Sequence, residues 1–141
     1  MVNIKIDTLE FKKGFDKACK DIENLVEDRM ITTTEFLKAE VVKETPSDTG
    51  NLRASIFKKT TKKSGEIKGI VGSHSEYAPY VHQGTGVYAS DGNGRKDKWR
   101  VATIYKGRKV FFWTTGQKPN PFLTRARDKN MGIIKKLLGC E

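Results

Sequence analysis

The sequence has few cysteines and no long hydrophobic run. Its 141 residues include two cysteines, Cys19 and Cys140, whose separation matches no metal-ligand or redox spacing. We therefore expect two unrelated reduced thiols. No apolar stretch approaches the roughly 18 residues that a membrane-crossing helix needs, and the first residues, MVNIKID, lack the apolar segment of a secretory signal. These absences predict a soluble protein that is made in the cytoplasm and has no membrane partner.

Negative charge is scarce in the second part of the chain. Residues 8–44 contain 7 basic and 9 acidic residues, a net charge of −2. Residues 45–141 contain 19 basic and 7 acidic residues, a net charge of +12. A field of this sign attracts polyanions or acidic protein surfaces. This part of the chain is therefore predicted to face DNA or an acidic partner, with a merely solubilising surface as the alternative.

A long amphipathic helix is predicted near the start of the chain. Asp7 and Glu10 have the spacing of a capping box, and apolar residues then recur at steps of three and four. This stripe consists of Phe11, Phe15, Ala18, Ile22 and Leu25. A helix over 8–44 would be about 55 Å long, more than the width of a domain of this size, so part of it should project or pack on a neighbour. Three threonines at 32–34 favour a bend or a break.

The stretch TPSDTGNLRASI, residues 45–56, is predicted to end this helix and redirect the chain. Pro46 disfavours helical geometry at the preceding residue and lacks a backbone donor. The Asp-Thr-Gly that follows supplies turn chemistry, because an Asp side chain bonds nearby amides and Gly tolerates a positive φ. We expect Arg53 and Ser55 to brace this joint by hydrogen bonds, with Asp48 as an acceptor.

Residues 45–118 are predicted to form a small antiparallel sheet of about four strands. SIFKKTTKK and IKGIVGS suggest one hairpin, and WRVATIY and KVFFW a second. Between them, VYASDGNGRKDK is rich in glycine and charge, which is typical of a long mobile loop. Asn120 and Pro121 resemble a helix cap and first turn, opening a C-terminal helix over 120–138. The prediction is a single α+β domain spanning 1–141.

Aromatic residues alternate with basic residues in the second predicted hairpin. They are Trp99, Tyr105, Phe111, Phe112 and Trp113. Nucleic-acid bases stack on aromatic rings while cations hold the phosphates, so this pattern is compatible with nucleic-acid binding. The interpretation that we favour from the sequence is that these rings fill the core of the small sheet.

No cluster of residues predicts catalysis, a metal or a cofactor. The tripeptide at 48–50 matches an aspartic-protease motif, but that chemistry needs two such carboxylates that share a proton. The run at 91–94 resembles a calcium loop, but Ala102 stands where a bidentate Glu belongs. His74 and His82 could form an acid-base pair, with ordinary loop histidines as the simpler interpretation. We therefore expect no enzyme.

Three segments of the sequence form a series of motifs. The segments are TPSDTGNLRASI, VGSHSEYAPYVHQGTG and TTGQKPNPFLTRA. Their motif residues are Pro46, Asp48, Thr49, Gly50, Leu52, Arg53, Ser55, Ile56, Tyr77, Ala78, Val81, Gly84, Thr85, Pro119, Pro121, Phe122 and Leu123. In order and spacing this series resembles the siphophage tail-component family, which includes neck, tail-completion and head-tail joining proteins of Hong Kong-type phages. The resemblance extends over roughly residues 8–138.

This resemblance implies a structural protein of a phage or prophage virion, without catalysis or cofactors. It implies a ring, hexameric in that family, at the neck or at the top of the tail tube, assembled in the cytoplasm of the bacterial host. The implied partners are further copies of the chain, a tail-tube protein and a neck or head-completion protein, with nonspecific contact to packaged DNA.

Two sets of residues are candidate contact surfaces in such an assembly. The first set is Lys58, Lys59, Lys62 and Lys63, which we expect to face DNA in a channel or an acidic partner. The second set is Arg95, Lys96, Lys98 and Trp99. It belongs to residues 84–108, predicted to be an assembly loop that orders on binding. The alternatives to a structural role are a sequence-tolerant nucleic-acid-binding protein and a small basic hydrolase that uses His74 or His82.

Overall fold

The computed structural model describes residues 8–47 and 50–140. Their elements in chain order are α1 (Thr8–Glu44), α2 (Asn51–Ala54), β1 (Ile56–Lys63), β2 (Glu66–Ser73), α3 (Ala78–Gln83), a 3-10 turn (Gly86–Tyr88), β3 (Trp99–Tyr105), β4 (Arg108–Thr114), α4 (Phe122–Lys129) and α5 (Met131–Leu138). The predicted α+β class and its four strands are confirmed. In the described part of the chain no helix has both the length and the apolar character to span a membrane. Cys19 and Cys140 are exposed free thiols.

The long helix α1 has the predicted bounds and runs without a break through its three threonines. Each threonine hydroxyl donates to a carbonyl of the preceding turn. The bonds are Thr32 to Asp28 at 2.9 Å, Thr33 to Arg29 at 2.7 Å and Thr34 to Ile31 at 2.9 Å. Because the helix itself satisfies these hydroxyls, Thr33 and Thr34 can be buried inside it. Asp7, part of the predicted capping box, lies outside the described residues.

The helix α1 ends where the proline predicts, and Thr45 closes it. The Thr45 backbone N–H donates to the Val41 carbonyl at 2.9 Å, and its hydroxyl donates to the same carbonyl at 2.6 Å. Gly50, with a φ of 78°, then turns the chain into α2 in a left-handed conformation that glycine adopts without strain. Asp48 and Thr49, the other residues of the predicted turn, lie outside the described residues.

The four strands form two separate hairpins. β1 pairs with β2 and β3 pairs with β4, both antiparallel along their full lengths. The turn residues have positive φ, 48° at Ser64 and 80° at Gly65 in the first hairpin, and 48° at Lys106 and 75° at Gly107 in the second. Two-residue turns of this kind match the natural twist of paired strands. Within the described residues no ladder joins one hairpin to the other.

The predicted C-terminal helix is divided into α4 and α5 at Asn130. The Asn130 backbone leaves helical geometry, with φ −110° and ψ 12°, and its side-chain amide donates to the Ala126 carbonyl at 2.9 Å. The expected cap by Asn120 is wrong, because Pro121 is the capping residue and has no side-chain cap bond. Asn120 Oδ1 instead accepts a hydrogen bond from Arg125 Nη2 at 2.8 Å.

The C-terminal half of α1 packs against the first hairpin and against α4 and α5. Gly69 of β2 lies so close to the helix that a Cβ there would stand 2.4 Å from Thr34 Cγ2. Gly139, just after α5, lies beside the Arg29 side chain. The buried apolar core comprises Val41, Leu52, Ile56, Ala78, Val81, Phe122 and Ala126. This core is small and lies around the end of α1.

Candidate functional site

The apolar residues of the three motifs meet in this core. Leu52 and Ile56 of the first motif, Ala78 and Val81 of the second, and Phe122 of the third are each at most 8 % exposed. Burial of apolar side chains is the main stabilising force in a small fold. These motif positions therefore hold the fold together, and no ligand chemistry is needed to explain them.

Backbone contacts also join the second motif to the third. The Thr85 N–H donates to the Gln117 carbonyl at 2.9 Å, and the Gln117 N–H donates to Thr85 Oγ1 at 3.0 Å. Gly84 has φ 79° and ψ 172°, a region that is essentially restricted to glycine. A Cβ on Gly84 would also lie 2.8 Å from the Pro119 nitrogen. The glycine of this motif is required by the close approach of the segment before α4.

The residues expected to brace the joint do form hydrogen bonds. Arg53 Nε donates to the Thr45 carbonyl at 2.9 Å, which fixes α2 to the end of α1. The hydroxyl oxygens of Ser55 and Ser73 lie 2.6 Å apart, which ties the start of β1 to the end of β2. The acceptor named from the sequence, Asp48, lies outside the described residues.

A groove of about 370 Å³ opens beside the joint. Its walls are Pro46, Gly50, Asn51, Leu52, Tyr77, Val81 and Gln117. Three motif residues that lie outside the buried core, Pro46, Gly50 and Tyr77, therefore face this groove. Of the remaining motif residues, Leu123 packs against the core from α4. Among the described residues, these walls carry no carboxylate, histidine or thiol, so they offer shape and not reactive groups.

An ion-pair cluster anchors α4 to the end of α1. Glu44 accepts hydrogen bonds from Arg125 Nε at 2.5 Å and from Lys129 Nζ at 2.6 Å. These bonds, the one from Lys129 first, lower the pKa of the Glu44 carboxyl. The partners are 81 and 85 residues away in sequence. No local pattern in the sequence indicates ion pairs between residues so far apart, so this cluster is visible only in the fold.

The four lysines of β1 lie on both faces of the first hairpin. Those on the α1 side are paired, Lys58 with Glu35, and Lys62 with Glu23 at 3.2 Å and Glu27 at 3.3 Å. Hydrogen bonds to Glu23 and then Glu27 raise the pKa of Lys62. Because side chains alternate along a strand, Lys59 and Lys63 lie on the face turned away from α1. Two of the four lysines, Lys58 and Lys62, are therefore paired with acidic residues of α1, and the other two, Lys59 and Lys63, point away from the helix.

Four of the five aromatic residues of the second hairpin are exposed. Their exposed fractions are 63 % for Tyr105, 51 % for Phe111, 49 % for Phe112 and 68 % for Trp113. The favoured interpretation, that they fill the core of a sheet, is therefore wrong, since no second layer covers this hairpin in the described residues. The Arg100 guanidinium lies 4.2 Å from the centre of the Phe111 ring, a cation–π contact.

The predicted assembly loop, residues 84–108, is not a loop throughout, since it contains the 3-10 turn Gly86–Tyr88 and the strand β3, which begins at Trp99. Its first part is held by its surroundings. The Val87 N–H donates to the Thr115 carbonyl at 3.0 Å. Trp99 is half-buried, and the Arg95 guanidinium lies 5.7 Å from the centre of its ring. The other two basic residues of the set, Lys96 and Lys98, are exposed. The start of the loop is thus fixed to the segment after β4, while its basic side chains face outward.

The N-terminal half of α1 is uncovered, and residues 8–26 are exposed throughout. Its apolar stripe includes Phe11 at 76 %, Phe15 at 60 %, Ile22 at 61 % and Leu25 at 50 % exposure. The rings of Phe11 and Phe15 stack with their centres 6.5 Å apart. This is the part of the helix that its length predicted to project or to pack on a neighbour.

A family model described as "Bacteriophage HK97-gp10, putative tail-component" matches residues 10–84 of the chain. The match covers more than half of the 141 residues. The chain belongs to this family. Comparisons with curated proteins and with solved structures gave no match.

Family membership makes the chain a structural component of phage tails, a class of protein that resides in the virion and contacts other phage structural proteins. The matched residues contain the whole first motif and the second as far as Gly84. The third motif lies beyond the match, yet its Phe122 is fully buried in the same core. The family match contains the first motif and most of the second, and the core joins the third motif to them, so all three motifs belong to one folded unit.

The two histidines have separate structural contacts. His74 stacks on Phe57 with ring centres 4.0 Å apart. His82 meets the Phe122 ring edge-on, and its Nε2 lies 3.3 Å from Thr124 Oγ1. In the part of the chain that the structure describes, no group of three His, Cys, Asp or Glu side chains could hold a metal ion. Nothing in this arrangement favours the hydrolase alternative.

Proposed function

We propose that the chain is a head-tail joining or tail-completion subunit whose copies form a ring at the neck or at the top of the tail tube. Its membership of a phage tail-component family carries this proposal. The ring is hexameric, as the motif resemblance implies. It contacts a tail-tube protein on one side and a neck or head-completion protein on the other, and it assembles in the cytoplasm of the bacterial host.

The extent of uncovered surface supports a role in assembly. The chain has an accessible surface of 11100 Å² for a mass of 15.9 kDa. A compact monomer of this mass exposes only about 7,400 Å². Such an excess is expected of a subunit that buries surface against neighbours, and repeated head-to-tail contacts that close on themselves produce rings.

The proposal is tested by deleting the gene from the phage or prophage that encodes the chain. We expect electron microscopy of lysates to show unjoined heads and tails, and a plasmid copy of the wild type to restore joined, infectious particles. A plasmid copy with Phe122→Ala, which loses the central core side chain, should fail to restore them. Joined particles in the absence of the chain would contradict the proposal.

A contact with packaged DNA is favoured by the net charge of +12 over residues 45–141. The structure leaves Lys59 and Lys63 as the outward lysines of β1, so we propose that these two line the DNA passage. Assembled rings should bind duplex DNA without sequence preference, and binding should weaken steeply as salt rises. Lys59→Glu combined with Lys63→Glu should reduce binding more than Lys12→Glu combined with Lys13→Glu on α1. Absence of binding at low salt would exclude this contact.

We also propose that the part of the predicted assembly loop that leads into β3 contacts the tail-tube protein through Arg95, Lys96, Lys98 and Trp99. Hydrogen exchange measured with and without the tail-tube protein tests this contact. Backbone amides of the loop should exchange more slowly in the complex. Equal exchange rates in the two samples would mean that this loop is not the tube contact.

A further inference from the structure

The exposed stripe of α1 has an acidic edge. Successive residues of a helix are rotated by about 100°, so Glu10, Asp21 and Asp28 fall along one side of the stripe that contains Phe11 and Ile22. All three acidic residues are exposed. Among the described residues, none of their carboxylates forms a salt bridge. The helix therefore presents an apolar strip bordered by unpaired negative charge.

One face of the second hairpin has the complementary chemistry. Paired residues of an antiparallel ladder lie on the same face, and faces alternate along each strand. The residues of this face, which we call the outer face, are Arg100, Ala102, Ile104, Lys109, Phe111 and Trp113. Ile104 is 77 % exposed and Trp113 68 %. The outer face carries two cations and no acid, and in the described residues neither cation has a salt-bridge partner.

In the described part of the chain both surfaces are exposed, so neither covers the other within one copy. An isolated two-stranded hairpin is marginally stable in water, and exposed apolar patches of this kind mark contact sites. A specific interface buries about 1,600 Å² in total. The accessible surface of 11100 Å² exceeds that of a compact monomer by more than this amount.

We propose that the stripe of α1 from one copy lies on the outer face of the hairpin of the next copy. Phe11, Phe15 and Ile22 would pack on Ile104, Phe111 and Trp113, while Asp21 and its acidic neighbours face Arg100 and Lys109. The two surfaces differ from each other, so the contact is head-to-tail. A pair of copies therefore still has one unused stripe and one unused outer face, and further copies can add until a ring closes. This inference rests on the proposed ring and names the surfaces that form it.

Charge reversal on the full-length protein tests this contact. Asp21→Lys should weaken self-association, followed by sedimentation and light scattering, by about tenfold because it places a cation opposite Arg100. The control is Asp16→Lys, the same change on the same exposed helix but about 140° around it. On the hairpin, Arg100→Glu should weaken self-association, while Arg108→Glu, on the opposite face, should not. Combining Asp21→Lys with Arg100→Glu should restore it.

Each result decides for or against the contact. Equal effects of Asp21→Lys and Asp16→Lys, failure of the combined variant to recover, or a wild type that stays monomeric at all concentrations would overturn it. Loss of DNA binding but not of self-association in Arg100→Glu would assign the outer face to nucleic acid instead. Circular dichroism should be unchanged in all variants, because every substituted side chain is exposed.

The same variants separate this inference from the proposed function. If Asp21→Lys assembles normally while the gene remains essential for joining heads to tails, the proposed surfaces are wrong and the function stands. If the charge-swap pattern holds but particles join without the chain, the contact is real and the function is wrong.

Discussion

Gly84 lies where three backbone segments meet. A Cβ there would stand 2.8 Å from both the Pro119 nitrogen and the Tyr88 carbonyl oxygen, and the φ of 79° is already unfavourable for any other residue. The position thus couples the end of α3 to the segment that leads into α4. A single methyl group should disturb all of these segments at once.

We expect Gly84→Ala to lower the free energy of unfolding by about 3 kcal/mol, because strain and steric overlap add. Urea denaturation measures this change. The control is Gly92→Ala, where φ is 71° but no atom lies within 4 Å of the added Cβ. A similar loss in both variants would show that backbone strain alone matters and that the close approach at Gly84 does not.

Glu44 should make the stability of the fold depend on pH. Its pKa is lowered from 4.5 by the hydrogen bonds from Lys129 and Arg125. A carboxyl whose folded pKa is below its unfolded pKa stabilises the fold above the unfolded value, and this contribution is lost as pH falls through the folded value. The difference in stability between wild type and Glu44→Gln should therefore be full at neutral pH and shrink below pH 4.5.

Urea titrations of both proteins between neutral and acidic pH test this dependence. Lys129→Ala, which removes the first of the two partners, should show a weaker pH dependence than the wild type. A stability difference between wild type and Glu44→Gln that is constant across the range would contradict the assignment.

At the scale of elements, the structure depends on how closely the first hairpin lies on α1. Gly69 allows β2 to rest directly on the helix, since a Cβ there would meet Thr34 Cγ2 at 2.4 Å and Met30 Sδ at 2.7 Å. Neighbouring contacts such as Lys62 with Glu23 and Glu27 depend on the same approach. Separating the hairpin from the helix by the width of one methyl group would strain all of them.

We expect Gly69→Ala to destabilise the protein by about 1–3 kcal/mol through this overlap. Gly132→Ala in α5 is the matched substitution, because nothing lies within 4 Å of its added Cβ and alanine favours a helix. It should stabilise the protein by about 0.5–1 kcal/mol. Thermal or urea unfolding of the pair gives opposite shifts if the close approach is real, and shifts of the same sign if it is not.

The elements themselves were largely predictable from the sequence. The apolar steps of α1, the break at Pro46 and the turn residues of both hairpins are local signals, and each gave the correct element. The division of the C-terminal helix at Asn130 is not visible in the sequence. The Asn130 side chain bonds to a carbonyl one turn earlier, and the spacing of the apolar residues continues unchanged past it. Asn120 does not cap the helix, because its side-chain oxygen accepts a hydrogen bond from Arg125.

What the sequence did not reveal is which faces are covered. Phe111 and Trp113 are residue types that are typical of the core of a sheet. Whether a second layer covers them depends on how distant elements pack. The same holds for Lys58 and Lys62, which look like free surface charges until α1 places acidic residues beside them. Strand alternation tells which residues share a face, and only tertiary packing tells what that face meets.

At the scale of the whole molecule, the apolar residues that form the core are different from those exposed on α1. Phe122 is fully buried, while Phe11 and Phe15 are 76 % and 60 % exposed. Phe11→Ser combined with Phe15→Ser should change the free energy of unfolding of the monomer by less than about 0.5 kcal/mol. The same pair should abolish self-association if the stripe is the contact surface.

Phe122→Ala is the opposite case, and it should cost about 3–5 kcal/mol of stability because it empties the centre of the core. Urea unfolding and light scattering on both proteins separate the two effects. A large loss of stability in the serine pair would mean that the stripe packs within the chain, and that assembly uses another surface.

The small core has a consequence for copies of the protein that are not yet part of a particle. The described residues include only seven buried apolar side chains, which is few for a chain of this length. A solitary copy should therefore open often enough for host proteases to cut it. Incorporation into a particle removes that exposure by mass action. Surplus copies should therefore be degraded while incorporated ones persist, so that turnover rather than the rate of synthesis sets how many copies accumulate.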